Sequence, residues 1–116
     1  MSVTFGQLNS LILISDSVGS HLTAAVSTTY HVIGMYLHNT HSVAIEVTIY
    51  FVPNDGGAVG TPGAGNQIFK QTIDANQTYP INDITHYMNS ANDSIQVVAG
   101  TASKVNIFIE GSAVDQ

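Results

Sequence analysis

The chain has 116 residues, of which 44% are hydrophobic and 9% charged, and its formal charge is −6 because eight acidic side chains oppose two lysines and no arginine. This length fits a single domain. The scarcity of basic side chains argues against nucleic acid and anionic membranes as partners, and no apolar run approaches the roughly 18 residues that span a bilayer. The absence of cysteine excludes disulfides and thiolate zinc sites, and the N-terminus gives no indication of a secretory signal.

The first half of the chain carries the weaker strand signals. Residues 1–7 are predicted to form an N-terminal arm that is either disordered or placed on a partner, and residues 8–116 to form one β-sandwich domain. Ile33 alternates with Met35 and Leu37 and should share their face, while the opposite face is also apolar, which is typical of a strand covered on both sides. The predicted strands of this half are 8–14, 22–26 and 30–37.

The second half consists of alternating apolar and polar runs with almost no charge. Residues 81–88 carry a faint helical signal, and we expect one helical turn there at most. The segment 53–66 holds five glycines and two prolines and is predicted to be a long mobile loop. The predicted strands of this half are 43–52, 67–74, 77–82, 93–99 and 104–110.

Turn residues between these runs predict two hairpins. The turn at 38–41 is expected to pair the strand before it with the strand after it, and the turn at 100–103 is expected to do the same near the C-terminus. Seven or eight short strands separated by turns indicate an all-β fold. We predict a two-sheet antiparallel β-sandwich, with a jelly roll as one possible topology.

The sequence lacks the patterns that are typical of active sites. The glycine-rich loop has no lysine for phosphate binding, and the HxxH spacing of His38 and His41 falls in a predicted turn, with no glutamate in metalloprotease register. The acidic residues are isolated in turns or on strands, and no serine has a nucleophile-elbow context. We therefore predict no catalytic, cofactor-binding or metal-binding residue, no cofactor and no enzymatic activity.

Aromatic side chains at outward strand positions are the feature that bears on function. Protein interfaces are depleted in charge and enriched in aromatic residues, and this surface has that composition. Two alternatives are that the rings cover the ends of the core, or that they form a platform for sugar rings. The residues predicted to form a protein interface are Tyr36, Tyr50, Phe108, Gly57, Pro62 and Phe5.

Several short motifs support a family resemblance. They are VTIYFVP at 47–53, the glycine-rich loop, NQIFK at 66–70, QTY at 77–79, NDSIQV at 92–97 and VNIFIEG at 105–111. Together they resemble small virion structural proteins of tailed bacteriophages over residues 28–114.

The resemblance implies a capsid decoration, or cement, protein that binds the major capsid protein and stabilises contacts between its subunits. Such a protein would be made in the host cytoplasm and would lie on the outer capsid surface of the virion, as a homodimer or homotrimer. It needs no chemistry, because a ligand that binds the assembled shell adds its binding free energy to the assembly. The alternatives are a phage tail, neck or baseplate component and, in another class, a carbohydrate-binding or host-adhesion module.

Overall fold

The computed structural model describes residues 2–10, 12–82 and 84–115, and their regular structure is entirely β. None of the described residues forms a helix of the length and hydrophobicity needed to cross a membrane. The strands are β1 (Ser2–Gln7), β2 (Gly19–Thr23), β3 (Thr28–Asn39), β4 (Ile45–Val52), β5 (Gln67–Ile73), β6 (Thr78–Ile81), β7 (His86–Met88), β8 (Ser94–Ala99) and β9 (Val105–Asp115).

These strands form two antiparallel sheets, which confirms the predicted β-sandwich. Sheet A has the order β1-β9-β3-β6, and β7 pairs with β3 on the same side as β6; sheet B has the order β2-β8-β4-β5. Val47 and Ile49 of sheet B and Ile107 and Ile109 of sheet A are almost completely buried between the sheets. The alternation that predicted these strands therefore comes from one shared core.

Both predicted hairpins are wrong. β3 lies in sheet A and β4 in sheet B, and β8 lies in sheet B while β9 lies in sheet A. At each of the two turns the chain crosses from one sheet to the other, so the flanking strands face each other across the core. β3 pairs instead with β9, over a ladder that runs from Thr28 to Asn39.

A β-bulge in β3 changes which residues face the core. Val32 lies opposite Gly111 and Gly34 opposite Glu110, so Ile33 is an extra residue in the ladder. Val32 and Met35 are buried, whereas Ile33 is 56% exposed, so its predicted place on the inner face is wrong. Gly111 is required beside the bulge, because a Cβ there would overlap the backbone carbonyl of His31.

Three other local predictions differ from the structure. The described residues of 8–14 form no strand, while residues 2–7 of the predicted arm form β1 on the edge of sheet A. The helical turn predicted over 81–88 is wrong for its described residues, which include β7; Asp83 lies outside the described part. The short strand predicted at 22–26 is shifted toward the N-terminus, since β2 ends at Thr23.

The side chain of Asn9 explains why the chain stays attached to β9 after β1 ends. Its Nδ2 donates to the carbonyl of Ile107 at 2.8 Å, and its Oδ1 accepts from the backbone N–H of Ile109 at 2.9 Å. Asn9 is buried, so these bonds satisfy backbone groups that water does not reach. One side chain thus extends the β1–β9 ladder by a further step.

Candidate protein-interaction face

The outer face of sheet A is the candidate functional site. Residues directly opposite each other in an antiparallel ladder point to the same face. Since Ile107 and Ile109 point into the core, the alternate residues of β9 and their ladder partners point outward. The outward side chains are Val3, Phe5, Gln7, Thr29, His31, Tyr36, His38, Thr78, Pro80, Tyr87, Asn106, Phe108, Glu110, Ser112 and Val114.

One aromatic row crosses this face on four strands. Phe5 of β1 lies opposite Ser112 of β9, which lies opposite His31 of β3, which lies opposite Tyr87 of β7. The rings of His31 and Tyr87 stack with centroids 4.2 Å apart and an angle of 8° between their planes. Phe5 is 79% exposed and Tyr87 is 61% exposed, so both ends of the row present apolar rings to solvent.

A second row lies further along β3 and β9. Tyr36 and Phe108 are ladder partners, and their rings stack at a centroid distance of 4.8 Å. The Tyr36 hydroxyl donates to Oε1 of Glu110 at 3.4 Å. Desolvation, together with this neighbouring carboxylate, raises the pKa of Tyr36 above its ordinary value. The direction of this shift reflects the cost of forming a phenolate beside the Glu110 carboxylate.

The outer face of sheet A carries little charge. Among the strands of this sheet the charged residues are Glu110 and Asp115, and strand alternation places Asp115 on the opposite side. Exposed Val3 and Ile33 add further apolar surface. A contiguous surface that is aromatic, apolar and nearly uncharged is typical of a site that binds another protein.

The six predicted interface residues divide between the two sheets. Phe5, Tyr36 and Phe108 share the outer face of sheet A, and the structure brings the last two into contact. Tyr50 lies instead on the outer side of sheet B, opposite Gln96. The sequence prediction missed His31, Tyr87 and Val3, which complete the face.

Gly57 and Pro62 belong to the 53–66 loop, which lies over the outer side of sheet B. Gln96 donates from Nε2 to the carbonyl of Gly60 at 3.0 Å, and Asn92 donates from Nδ2 to the carbonyl of Gly57 at 2.7 Å. Gln96, Val52 and Ser94 are buried although each points outward from the sheet. The loop therefore covers one end of this face with the chain's own residues.

Metal-ligating side chains do not cluster within the described part of the chain. No group of three or more His, Asp or Glu side chains within the described ranges could hold a metal ion. Nδ1 of His38 and the Thr78 hydroxyl share a hydrogen bond at 2.8 Å, and the backbone N–H of His41 donates to Oδ1 of Asn39. A groove beside His21 and another beside Tyr79 have no carboxylate among their described lining residues.

No protein-family description and no curated protein sequence matches the chain. Among solved structures, it is similar to a protein from a study of Bacillus endospore appendages that form a novel family of disulfide-linked pili, with 13% identity and a TM-score of 0.55, over 98% of this chain and 88% of that one. It also matches the infectious bursal disease virus VP2 subviral particle at 15% identity and a TM-score of 0.35, over 97% of this chain and 32% of that one. The second score is too low to support an argument, and the first shows that this chain shares its fold with the endospore appendage protein.

Proposed function

We propose that this chain is a non-enzymatic structural protein that docks onto neighbouring subunits of a larger protein assembly through the outer face of sheet A. The observation that carries the proposal is the pair of aromatic rows on a nearly uncharged face. Aromatic side chains at the centre of an interface contribute a large share of its binding energy, since they bury much area at a small entropic cost. The other outer face is less suited to docking, because the 53–66 loop already covers part of it.

The assembly that we propose is a tailed-phage virion, with the chain as a decoration protein bound to major capsid subunits. The sequence motifs supply this part of the proposal. The charge distribution is compatible with it, because the acidic residues lie mostly away from the outer face of sheet A. A partner surface that is apolar, with a hydrogen-bond donor for Glu110, would suit this face.

Charge insertion at the most exposed rings tests the docking face without disturbing the core. Phe5→Asp and Tyr87→Asp each place a carboxylate in the first row, and we expect each to weaken binding to assembled shells by about a hundredfold. Val43→Asp is the matched control, because Val43 is 60% exposed, comparable to Tyr87, and lies outside sheet A. Co-sedimentation with shells of the major capsid protein from the same phage measures the binding. Equal binding by all three variants would refute the docking face.

The location within the virion has its own test. Cryo-electron microscopy of the particle should show density for this chain over the outer surface of the head, between major capsid subunits. Density confined to the tail, neck or baseplate, with a bare shell, would instead support the alternative structural location. In that case the charge-insertion variants would be tested for binding to the tail, neck or baseplate protein that contacts this chain, instead of to capsid shells.

A pilus-like filament subunit is the second candidate, and the fold favours it. The similarity to the endospore appendage protein extends over nearly all of both chains. That study describes its pili as disulfide-linked, whereas this chain has no cysteine, so contacts between its copies would have to be noncovalent. Negative-stain microscopy of the purified chain separates the candidates, since a filament subunit forms fibres alone and a decoration protein needs a shell.

A further inference from the structure

The edges of the two sheets differ in how they are protected against pairing with another chain. Exposed strand edges present unpaired backbone groups, and proteins usually block them with proline, charge, bulges or short strands. β6 has four residues and includes Pro80, and β7 has three residues. β5 carries Lys70 and an irregular register at Ile68, and β2 has an irregular register at His21. Each of these four edge strands thus has a blocking feature.

β1 has none of these features. Its six residues pair with β9 in one unbroken register and include neither proline nor a charged side chain. Every residue of β1 is exposed, so the strand contributes no side chain to the core. The unusual backbone at Gly6, with φ of +106°, lies next to the last residue of the strand and leaves Ser2–Phe5 as a regular edge.

The hydrogen-bond alternation shows which backbone groups of β1 are open to a partner. The N–H of Leu8 donates to the carbonyl of Ile109. Because backbone groups alternate in direction along a strand, the N–H and C=O groups of the even-numbered residues of β1 also point toward β9. Val3 and Phe5 are odd-numbered, and their N–H and C=O groups therefore point away from β9 to the free edge. Their side chains lie on the outer face of sheet A.

We propose that the free edge of β1 pairs antiparallel with β1 of a second copy of this chain. Among the described edges, β1 alone lacks a blocking feature, so another β1 is the unblocked edge that a second copy offers. Two identical strands that pair antiparallel are related by a two-fold axis, so the two copies form a closed dimer. β1 carries no charge, so the two negatively charged copies meet where no charged side chains oppose each other.

Pairing of this kind would join two sheets A into one continuous sheet. Val3 and Phe5 of both copies would lie side by side at the centre of the combined outer face, flanked by two aromatic rows. This consequence rests on the proposed docking function, because it doubles the same docking face. A bivalent dimer engages two neighbouring sites of a lattice and gains avidity.

Sedimentation of the purified full chain tests the pairing. Over a concentration range of about 1–200 μM the chain should shift from monomer to dimer, and Val3→Pro should raise the dimer dissociation constant at least about tenfold, because proline removes a donor at the free edge. Val3→Ala is the matched control: it shortens the same side chain, keeps the backbone N–H and should change the constant less than about threefold. A chain that stays monomeric over this range, or equal dimerisation by both variants, would overturn the proposal.

Cysteine cross-linking provides a second measurement, because the chain has no cysteine of its own. Val3→Cys, Thr4→Cys and Phe5→Cys lie at the centre of β1, and one of them alone, or a mixture of the variants at positions 3 and 5, which share a face, should form a covalent dimer under mild oxidation. Gln71→Cys on the β5 edge is the control and should remain monomeric. Cross-linking at Gln71 with none in β1 would contradict the pairing.

A separate measurement of shell binding distinguishes a failure of the β1 pairing from a failure of the proposed docking function. A monomeric chain that still binds shells would refute the β1 pairing and leave the docking function standing. A chain that dimerises through β1 but does not bind shells would refute the docking function and leave the β1 pairing standing.

Discussion

Asn39 is the position where a single polar substitution should cost the most stability. It is completely buried at the end of β3, and its Nδ2 donates to the carbonyls of Val43 and Ile73, each at 3.0 Å. Its Oδ1 accepts from the backbone N–H of His41 at 2.9 Å. One side chain thus joins sheet A to the segment before β4 and to the end of β5.

Asn39→Ala leaves the two carbonyls without their donor, the Ile73 carbonyl in a buried place and the Val43 carbonyl in a partly buried one. Stranding a buried polar group costs about 1–3 kcal/mol, so we expect the free energy of unfolding to fall by about 2–5 kcal/mol. A domain of this size has roughly 5–15 kcal/mol in total, so the loss is a large fraction of its stability. Asn39→Asp should be similarly harmful at neutral pH, because a carboxylate would face both carbonyls and could not donate to them.

Urea unfolding followed by circular dichroism measures these losses, with the slope checked to confirm two-state behaviour. Asn82→Ala is the control, because Asn82 is exposed, and it should change the free energy by no more than about 0.5 kcal/mol. A loss below about 1 kcal/mol for Asn39→Ala would show that its hydrogen bonds are not what joins the sheets at this end.

Two further predictions concern the backbone of β9 and the response to pH. Gly111→Ala forces the β3 backbone away from β9 and should cost on the order of 3 kcal/mol in thermal unfolding, whereas Gly63→Ala, with open space around its Cβ, should stay within about 0.5 kcal/mol. Burial lowers the pKa of His86, with Asp93 partly opposing the shift. Because the folded pKa lies below the unfolded value of about 6.5, the His86 contribution is complete above that pH and is lost as the pH falls below it. The urea midpoint of His86→Gln should therefore fall less than that of the parent chain between about pH 7.5 and 5.5, and an equal fall would contradict this assignment.

Alternating apolar side chains located most strands, because each strand buries one face in the same core. Ile45, Val47 and Ile49 point inward as the alternation predicted. The C-terminal part of β9, from Gly111 to Asp115, was missed because small and polar residues dominate it. β1 was missed for a similar reason. It buries no apolar side chain, so its sequence lacks the alternation of a core strand, and it is a strand because its backbone pairs with β9.

Strand pairing could not be read from the same pattern. An inward-facing strand has the same alternation whether its chain neighbour lies beside it or across the core. Asn39 illustrates the difference. An Asn beside a turn is typical of a hairpin, yet here its side chain forms hydrogen bonds to the segment before β4 and to the end of β5, where the chain crosses between the sheets. The outward positions of Tyr36 and Phe108 were predictable from alternation, whereas Tyr87 was not, because its segment has a helical spacing and becomes a strand by pairing with β3.

The two outer faces of the sandwich differ in whether the chain's own residues cover them, and this difference supports the proposed docking face. On sheet B the 53–66 loop supplies the cover, with Gln96 bonded to the loop backbone and Lys70 placed 3.9 Å from Glu46 on the exposed part. On sheet A no described segment lies over Phe5 or Tyr87, and water has to hydrate their rings in the isolated chain. Hydrating apolar surface costs roughly 25 cal/mol per Å², so a partner that covers these rings gains free energy that sheet B has already gained within its own chain. We therefore expect a partner protein to bind the outer face of sheet A in preference to the outer face of sheet B.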